Sequence, residues 1–227
     1  MNVLVAGATG LVGNFLVKEL AKDKSIHTIY VLSRRPIEPI GVKVKVLVAD
    51  FDHLEATLDL MEDVEAVFSC LGTTKSQTPD SALYEKIEIH YPLTIARWAR
   101  EHGVSQFHYI SSIGTNINAK SEYLSRKAVA EQELMHSQIS QVFIYRPSFI
   151  TGVRAQARPL ERVGGLVLKA FQPLLVGKAK KYRPISACDI AKAMTILSTR
   201  VQPGVFILES DEISEISKKN ECKCTAY

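Results

Sequence analysis

The stretch Val3-Leu4-Val5-Ala6-Gly7-Ala8-Thr9-Gly10-Leu11-Val12-Gly13 decides how this chain is read. An apolar run enters it, three glycines stand three residues apart, and an amphipathic run carrying Phe15, Leu16 and Leu20 leaves it. That order spells strand, tight turn, helix. Gly7 is expected to let the chain turn sharply at the strand end, Gly10 to let the backbone approach a pyrophosphate, and Gly13 to let the helix pack closely on the sheet. The unpaired N–H groups and the positive dipole end of the helix then face the anion, with Ala8, Thr9, Leu11 and Val12 completing the cradle. A glycine-rich turn without a ligand has the same local spelling. Its place at the start of the chain favours the cradle and is expected to leave no room for a domain in front.

A length of 227 residues fits one large α/β domain that buries its own core without disulfides or metal. With 46% hydrophobic and 23% charged residues, the composition is that of a folded globular protein. The net charge of +4 is modest, and basic pairs such as Arg34-Arg35 and Lys180-Lys181 are too isolated for a nucleic-acid footprint. No run approaches a membrane span and no leader pattern opens the chain, so a cytoplasmic location without membrane or nucleic-acid partners is expected. Cys70, Cys188, Cys222 and Cys224 have neither metal-ligand spacing nor a paired framework and read as reduced thiols, with no metal. Cys224 lies four residues from the end, but Thr225, Ala226 and Tyr227 fit a prenylation box poorly and a frayed tail better.

Further along, Thr28 to Ser33 reads as a second strand ending in Ser33-Arg34-Arg35-Pro36. In a dinucleotide fold the residue about twenty positions past the glycine turn meets the adenosine ribose, and an acid there binds the 2′-hydroxyl of NAD. Ser33 holds that place. A serine followed by two arginines pairs with a 2′-phosphate instead, which favours NADP over NAD. Val42 to Ala49 reads as a third strand, followed by Asp50-Phe51 and a helical run from Leu54 to Met61. Two readings stand for Asp50: an acceptor for the adenine amino group, with Phe51 bordering the ring, or a cap for the next helix. Ala66 to Cys70 is a fourth strand, broken by Leu71-Gly72-Thr73-Thr74, where Gly72 permits close backbone approach to a ligand crossing the strand ends.

A long helix is expected from Ser81 to Glu101, with Ile87, Tyr91, Ile95 and Trp98 on its packing face. This face meets either the sheet or a second subunit, so a homodimer is one expectation. His90 and His102 have no partner at ligand spacing and read as structural or exposed. Phe107 to Ile110 is the fifth strand, with Ser111-Ser112 at its C-terminal end. Tyr123 and Lys127 then stand four apart on a helix, one turn above the other. A phenol with pKa ~10 is a poor acid at neutral pH, and a neighbouring ammonium draws that value down. Taken alone, the pair reads as surface residues. After a glycine cradle, a basic adenosine site and a serine at a strand end, it reads as chemistry.

Together these residues resemble the short-chain dehydrogenase/reductase superfamily in its atypical branch. Leu32-Ser33-Arg34-Arg35, Ala49-Asp50-Phe51-Asp52, Cys70-Leu71-Gly72-Thr73-Thr74, Ile110-Ser111-Ser112, Tyr123-Leu124-Ser125-Arg126-Lys127 and Arg146-Pro147 are similar to the group of the human Tat-interacting oxidoreductase and its bacterial relatives. The resemblance runs to about Arg158. It implies that Tyr123 is the general acid of carbonyl reduction, that Lys127 lowers its pKa and binds the nicotinamide ribose, and that Ser111, or else Ser112, orients the substrate oxygen. It also implies nicotinamide contacts from Arg146, Pro147, Ser148 and Phe149. The human member is described as a regulator of other proteins, so the resemblance does not by itself imply turnover.

The remainder reads as a sixth strand at Val142 to Tyr145, helices at Val163 to Phe171 and Ile185 to Leu197, a last strand at Val205 to Leu208 and a helix at Ile213 to Lys218. The expected whole is a single-domain, Rossmann-type, doubly wound and mainly parallel α/β sheet with helices on both faces. Residues 1–147 form its cofactor-binding core and 148–227 the smaller substrate side. The expected function is NADP(H)-dependent hydride transfer to or from a small carbonyl or alcohol. The alternatives are an NADP(H)-sensing binding protein and, disfavoured by the short C-terminal portion, a sugar-nucleotide epimerase.

Overall fold

A computed structural model describes residues 1–38, 40–152 and 175–219. The apolar runs form strands β1 (Asn2–Ala6), β2 (Thr28–Ser33), β3 (Val44–Val48), β4 (Val64–Ser69), β5 (Gln106–Ile110) and β6 (Gln141–Arg146). A two-residue strand pair, β7 (Ile150–Thr151) with β8 (Ile185–Ser186), precedes the last strand, β9 (Gly204–Glu209). The main sheet has seven strands in the order β3-β2-β1-β4-β5-β6-β9, every neighbouring pair parallel. This is the expected doubly wound Rossmann-type sheet, and the chain reverses its direction of winding between β3 and β4. The C-terminal ends of β1 and β4 therefore flank a crevice.

Strand alternation divides the core. Val3 and Val5 face one way, against α1 (Leu11–Lys22) and α6 (Ala187–Ser198), while Leu4 and Ala6 face the other. That second face is covered by α2 (Glu55–Leu58), α4 (Tyr91–Glu101) and α5 (Glu122–Met135). Helix α7 (Ser210–Lys218) follows β9 with a capping box between Glu209 and Glu212. Trp98 is buried inside the chain, its indole N–H donating to Asp59 at 3.2 Å, so it faces this core rather than a second subunit.

Several boundaries differ from expectation for local reasons. The third strand is shorter than 42–49 and leaves Val42 fully exposed. The helix expected from Leu54 to Met61 closes after one turn, although Leu54, Leu58 and Met61 are all buried. Ile185 and Ser186 pair with β7, so the helix there starts at Ala187, where the Ser186 hydroxyl accepts the Asp189 N–H at 3.0 Å. The helix expected over 163–171 and the tail cysteines at 222 and 224 lie outside the described residues.

The long helix over 81–101 is interrupted. α3 (Ser81–Glu85) runs into a π-helical turn, Lys86–His90, before α4 begins. Pro92 explains the break. It has no N–H for the carbonyl four residues earlier, that of Glu88, and its ring crowds that oxygen, so the turn widens. The Glu88 carbonyl takes the Tyr109 hydroxyl instead, at 3.4 Å.

A buried histidine gives the sheet a pH signature. His108 on β5 is stacked between Phe68 and Phe143, with ring centroids 4.4 and 4.6 Å away, and is fully buried. Its Nδ1 lies 2.9 Å from the Tyr145 hydroxyl and its Nε2 3.3 Å from Gln106 Oε1, a pattern that suits the neutral ring accepting from Tyr145 and donating to Gln106. Burial pushes the imidazole down to about 3. Because the unfolded ring binds a proton near pH ~6.5 and the folded one does not, stability falls as pH drops below that value, by roughly 1.4 kcal/mol per pH unit. Urea unfolding at pH 7.5 and 5.0 checks this: His108→Phe loses stability at both values but shows a shallower pH dependence than the parent chain. An unchanged slope in the variant would assign the acid sensitivity elsewhere.

Candidate dinucleotide site

The glycine turn closes as its sequence demands. Gly7 has φ +86°, and a Cβ there would sit 2.6 Å from the backbone of Cys70. A Cβ on Gly13 would overlap the Gly7 carbonyl, so Gly13 admits α1 against the turn itself rather than against the sheet. Gly10 is the N-cap of α1, with no side-chain cap, and no acid stands in the first turn of the helix. The first N–H groups of α1 are thus left to an external acceptor, and the helix dipole favours an anion there. Val12 is buried in the core and Leu11 packs beside Gly152, so what they offer a ligand is their backbone. Ala8 and Thr9 line a hollow of about 140 Å³ that continues past Asn14 to Ile37 and Glu38.

At the end of β2 the Ser33 hydroxyl donates to the Arg35 carbonyl at 2.7 Å, folding the turn on itself. Arg34 and Arg35 are left exposed, and neither guanidinium has a carboxylate partner among the described residues. Across from them, Arg34, Asp50 and Phe51 line one open cavity of about 460 Å³ together with Asp52 and Tyr91. Asp50 accepts the Asp52 N–H at 3.0 Å, while the N-cap of α2 is Leu54, so the capping alternative for Asp50 falls away. Phe51 packs edge-on against Tyr91, whose hydroxyl donates to Asp52 at 2.9 Å, and Lys86 reaches the same carboxylate at 2.8 Å. The Lys86 ammonium and the Tyr91 hydroxyl hold the Asp52 carboxyl below its ordinary value.

The third cluster joins the ends of β4 and β5 to α5. Lys127 is fully buried on α5, one turn beyond the partly exposed Tyr123. Its Nζ donates to the Ile110 carbonyl at 2.9 Å, lies 3.0 Å from Glu88 Oε2 and sits 4.6 Å above the Tyr109 ring. Burial alone would push this ammonium towards neutrality. The Glu88 carboxylate, helped by Tyr109 and Tyr123, reverses that and holds it well above the ordinary lysine range. Glu88 Oε1 accepts the Thr73 N–H at 2.6 Å, tying the loop after β4 to the same pair. Ser111 is buried at the end of β5 with its hydroxyl 3.2 Å from that of Thr115, which in turn donates to the Ser112 carbonyl. Among the described residues the Ser112 hydroxyl reaches the Ile113 carbonyl, at 3.4 Å. Burial pushes the Cys70 thiol up to about 12, so it is inert beside the cluster.

The remaining expected contacts lie elsewhere. The Arg146 side chain pairs with Glu131 of α5, with Nε donating at 3.0 Å, and so fastens β6 to α5. Ser148 is spent on the Arg183 carbonyl and on Ser210, whose hydroxyl accepts the Ser148 N–H at 2.8 Å. The carbonyls of Pro147 and Phe149 accept the Ile113 and Ile185 N–H groups. Glu88 escapes sequence reasoning because a glutamate in a helix reads as solvent-facing. Its signals are an acid in step with the buried Tyr84, Tyr91 and Ile95, and a proline four residues on.

Three features fit an extended dinucleotide: an uncapped helix N-terminus behind a glycine turn, an open cavity lined by Arg34 on one side, and a buried ammonium below Gly72 on the other. A family model described as NAD(P)H-binding matches residues 7–169. The chain is 30% identical over 154 residues to the mitochondrial protein FMP52 of Eremothecium gossypii, which covers 68% of each chain. It is 28% identical over 230 residues to mitochondrial fmp52 of Aspergillus niger, covering 96% of this chain and 98% of that one. It is 25% identical over 226 residues to HTATIP2 of Rattus norvegicus, covering 97% and 90%. A solved structure of MoeE5 with UDP-glucose and NAD superposes at TM-score 0.69 and 18% identity, over 97% of this chain and 82% of that one. A UDP-glucose 4-epimerase from Thermotoga maritima does so at 0.68 and 15%, over 100% and 84%. These two likenesses show the fold. The cytoplasmic location expected from the sequence is overturned by the FMP52 relatives, which are named as mitochondrial proteins.

Gly72 offers a clean test of the site. Among the described residues the nearest atom to a Cβ there is Glu88 Oε1, at 3.6 Å, so Gly72→Ala is expected to leave the melting temperature unchanged while a methyl group enters the expected path of a dinucleotide. Titration calorimetry should show roughly tenfold weaker nucleotide binding, a loss of about 1.4 kcal/mol. Equal affinity would mean that no ligand passes over Gly72.

Proposed function

The chain belongs to the NAD(P)H-binding family, and from that premise we propose that it is an NADP(H)-dependent oxidoreductase that transfers a hydride between the nicotinamide and a small carbonyl or alcohol. The observation that supports this reading is the buried, charged Lys127, which stands one helical turn beyond Tyr123 on α5 and donates to the carbonyl of Ile110, the residue before Ser111, at 2.9 Å. A bound nicotinamide would supply or accept the hydride. The residues of the chain do the rest. The Tyr123 phenol gives its proton to the carbonyl oxygen during reduction and takes it back during oxidation. Continued one residue past β5, the alternation that buries Phe107 and Tyr109 under α5 favours Ser111 over Ser112 as the hydroxyl that orients that oxygen. Lys127 lends positive charge where negative charge develops.

NADP(H) is preferred over NAD(H) on two grounds. Arg34 and Arg35 are free for a 2′-phosphate, and Ser33, turned towards the Arg35 carbonyl, brings no negative charge to the ribose. A small substrate suits the short stretch between β6 and α6.

Steady-state assay with NADPH and a panel of aldehydes, ketones and quinones tests the reaction. On a turned-over substrate, Tyr123→Phe should lower kcat by ~10²–10⁴-fold while the NADPH dissociation constant stays within about twofold. Full activity in that variant would remove Tyr123 from the chemistry, and tight NADPH binding without turnover of any substrate would support a sensor instead. For the cofactor, the double variant Arg34→Ala/Arg35→Ala should weaken NADPH by roughly 10–100-fold and leave NADH nearly unchanged. An undiminished preference for NADPH would contradict the assignment of the two arginines.

A further inference from the structure

Glu88 sets a carboxylate where burial makes an unpaired charge costly. Within the described residues its carboxylate is fully buried, its Oε1 accepts the Thr73 N–H at 2.6 Å, and its Oε2 has Lys127 Nζ, 3.0 Å away, as its only partner. Pro92 forces the widened turn that carries it, so the backbone on either side of Glu88 is fixed by the sequence. The carboxylate thus stands between the loop after β4, where Gly72 exposes open space, and the helix bearing Tyr123 and Lys127. A Cβ on Gly72 would sit 3.6 Å from Glu88 Oε1 and 3.8 Å from Lys127 Nζ, so a ligand crossing Gly72 meets both members of the pair.

We propose that Glu88 is a positioning residue of the hydride-transfer site: it holds the Lys127 ammonium charged and aimed past Ile110 towards the reacting face, and it locks the Thr73 loop to that ammonium. The proposal rests on the oxidoreductase reading given above and adds to it the group through which Lys127 acts. Lys127 is faced by Glu88 from the π-helical turn, Tyr84 from α3, Tyr109 from β5, Tyr123 from its own helix and Cys70 from the end of β4. Of these, Glu88 is the one carboxylate. Without Glu88 the ammonium loses the one carboxylate it is paired with.

Glu88→Gln keeps the size and an acceptor oxygen but removes the charge. Burial then acts alone on Lys127, and buried lysines can titrate ~3–5 units below their ordinary value. Two readouts separate this proposal from the reading beneath it. First, ¹³Cε NMR of lysine-labelled protein, which needs no turnover, should show Lys127 charged throughout pH 6–9 in the parent chain and titrating within that range in Glu88→Gln. Second, on a turned-over substrate, kcat of the variant should fall as pH rises through the same range, with KM for NADPH changing far less, and Glu88→Asp should restore the parent profile in part. Should Glu88→Gln fail to fold, Glu88→Asp carries the test alone: its Lys127 stays charged, and its kcat drops through the displaced carboxylate. A Lys127 resonance that does not move in Glu88→Gln, or in that variant a uniform loss of activity without a pH-dependent limb, overturns the role of Glu88, as does an undiminished kcat in Glu88→Asp. If the NMR result holds while no substrate turns over, the pairing stands and it is the oxidoreductase reading that fails.

Discussion

Three backbone segments meet without side chains between them at the head of the sheet. The carbonyl of Gly7 touches Gly13 at the start of α1, and Gly7 itself lies against the backbone of Cys70 at the end of β4. This contact positions the head of α1. It brings the N-terminus of α1 to the reversal point of the winding, between β1 and β4, and it leaves the helix uncapped. A Cβ at Gly7 or Gly13 would force backbone against backbone, which cannot relax as a side chain can. The anion cradle is therefore a consequence of packing: the closest approach of strand, turn and helix is also the place where N–H groups are left over.

A second constraint acts on the opposite side of the crevice. Lys127 and Glu88 are both removed from water, and breaking one half of such a pair typically costs ~3–5 kcal/mol because the other half stays buried and uncompensated. A well-packed apolar pair would usually serve stability as well or better, so stability alone gives little reason for an ion pair here. Its members join four segments: the π-helical turn, α5 and, through Ile110 and Thr73, the end of β5 and the loop after β4. A neighbouring pair, Arg146 with Glu131, fastens β6 to α5 further along the same helix. The helix bearing Tyr123 is thus held by charge at two levels while its apolar residues pack into the core.

Much of this was legible in the sequence where the signal is local. The glycine spacing gave the turn, and alternating or continuous apolar runs gave all seven strands of the sheet to within a few residues. Arg34, Asp50 and Phe51 follow directly after strands, and the parallel topology brings their strand ends together. What sequence could not show were pairings across long separations. Arg146 and Ser148 follow β6 as ligand-contacting residues often do, but their partners, Glu131 and Ser210, are 15 and 62 residues away. Glu88 was missed for a related reason. Its charge argued for solvent, against its register with the buried Tyr84, Tyr91 and Ile95 and the effect of Pro92 on the turn before it.

At the centre is the claim that the opening turn seats a pyrophosphate while Arg34 and Arg35 take a 2′-phosphate. Titrating NADPH and NADH separately into the purified protein in a calorimeter tests it most directly. A saturable heat at one nucleotide per chain, with NADPH at least tenfold tighter than NADH, is the expected result. The absence of binding heat from both nucleotides at millimolar concentration, or a clear preference for NADH, would contradict it.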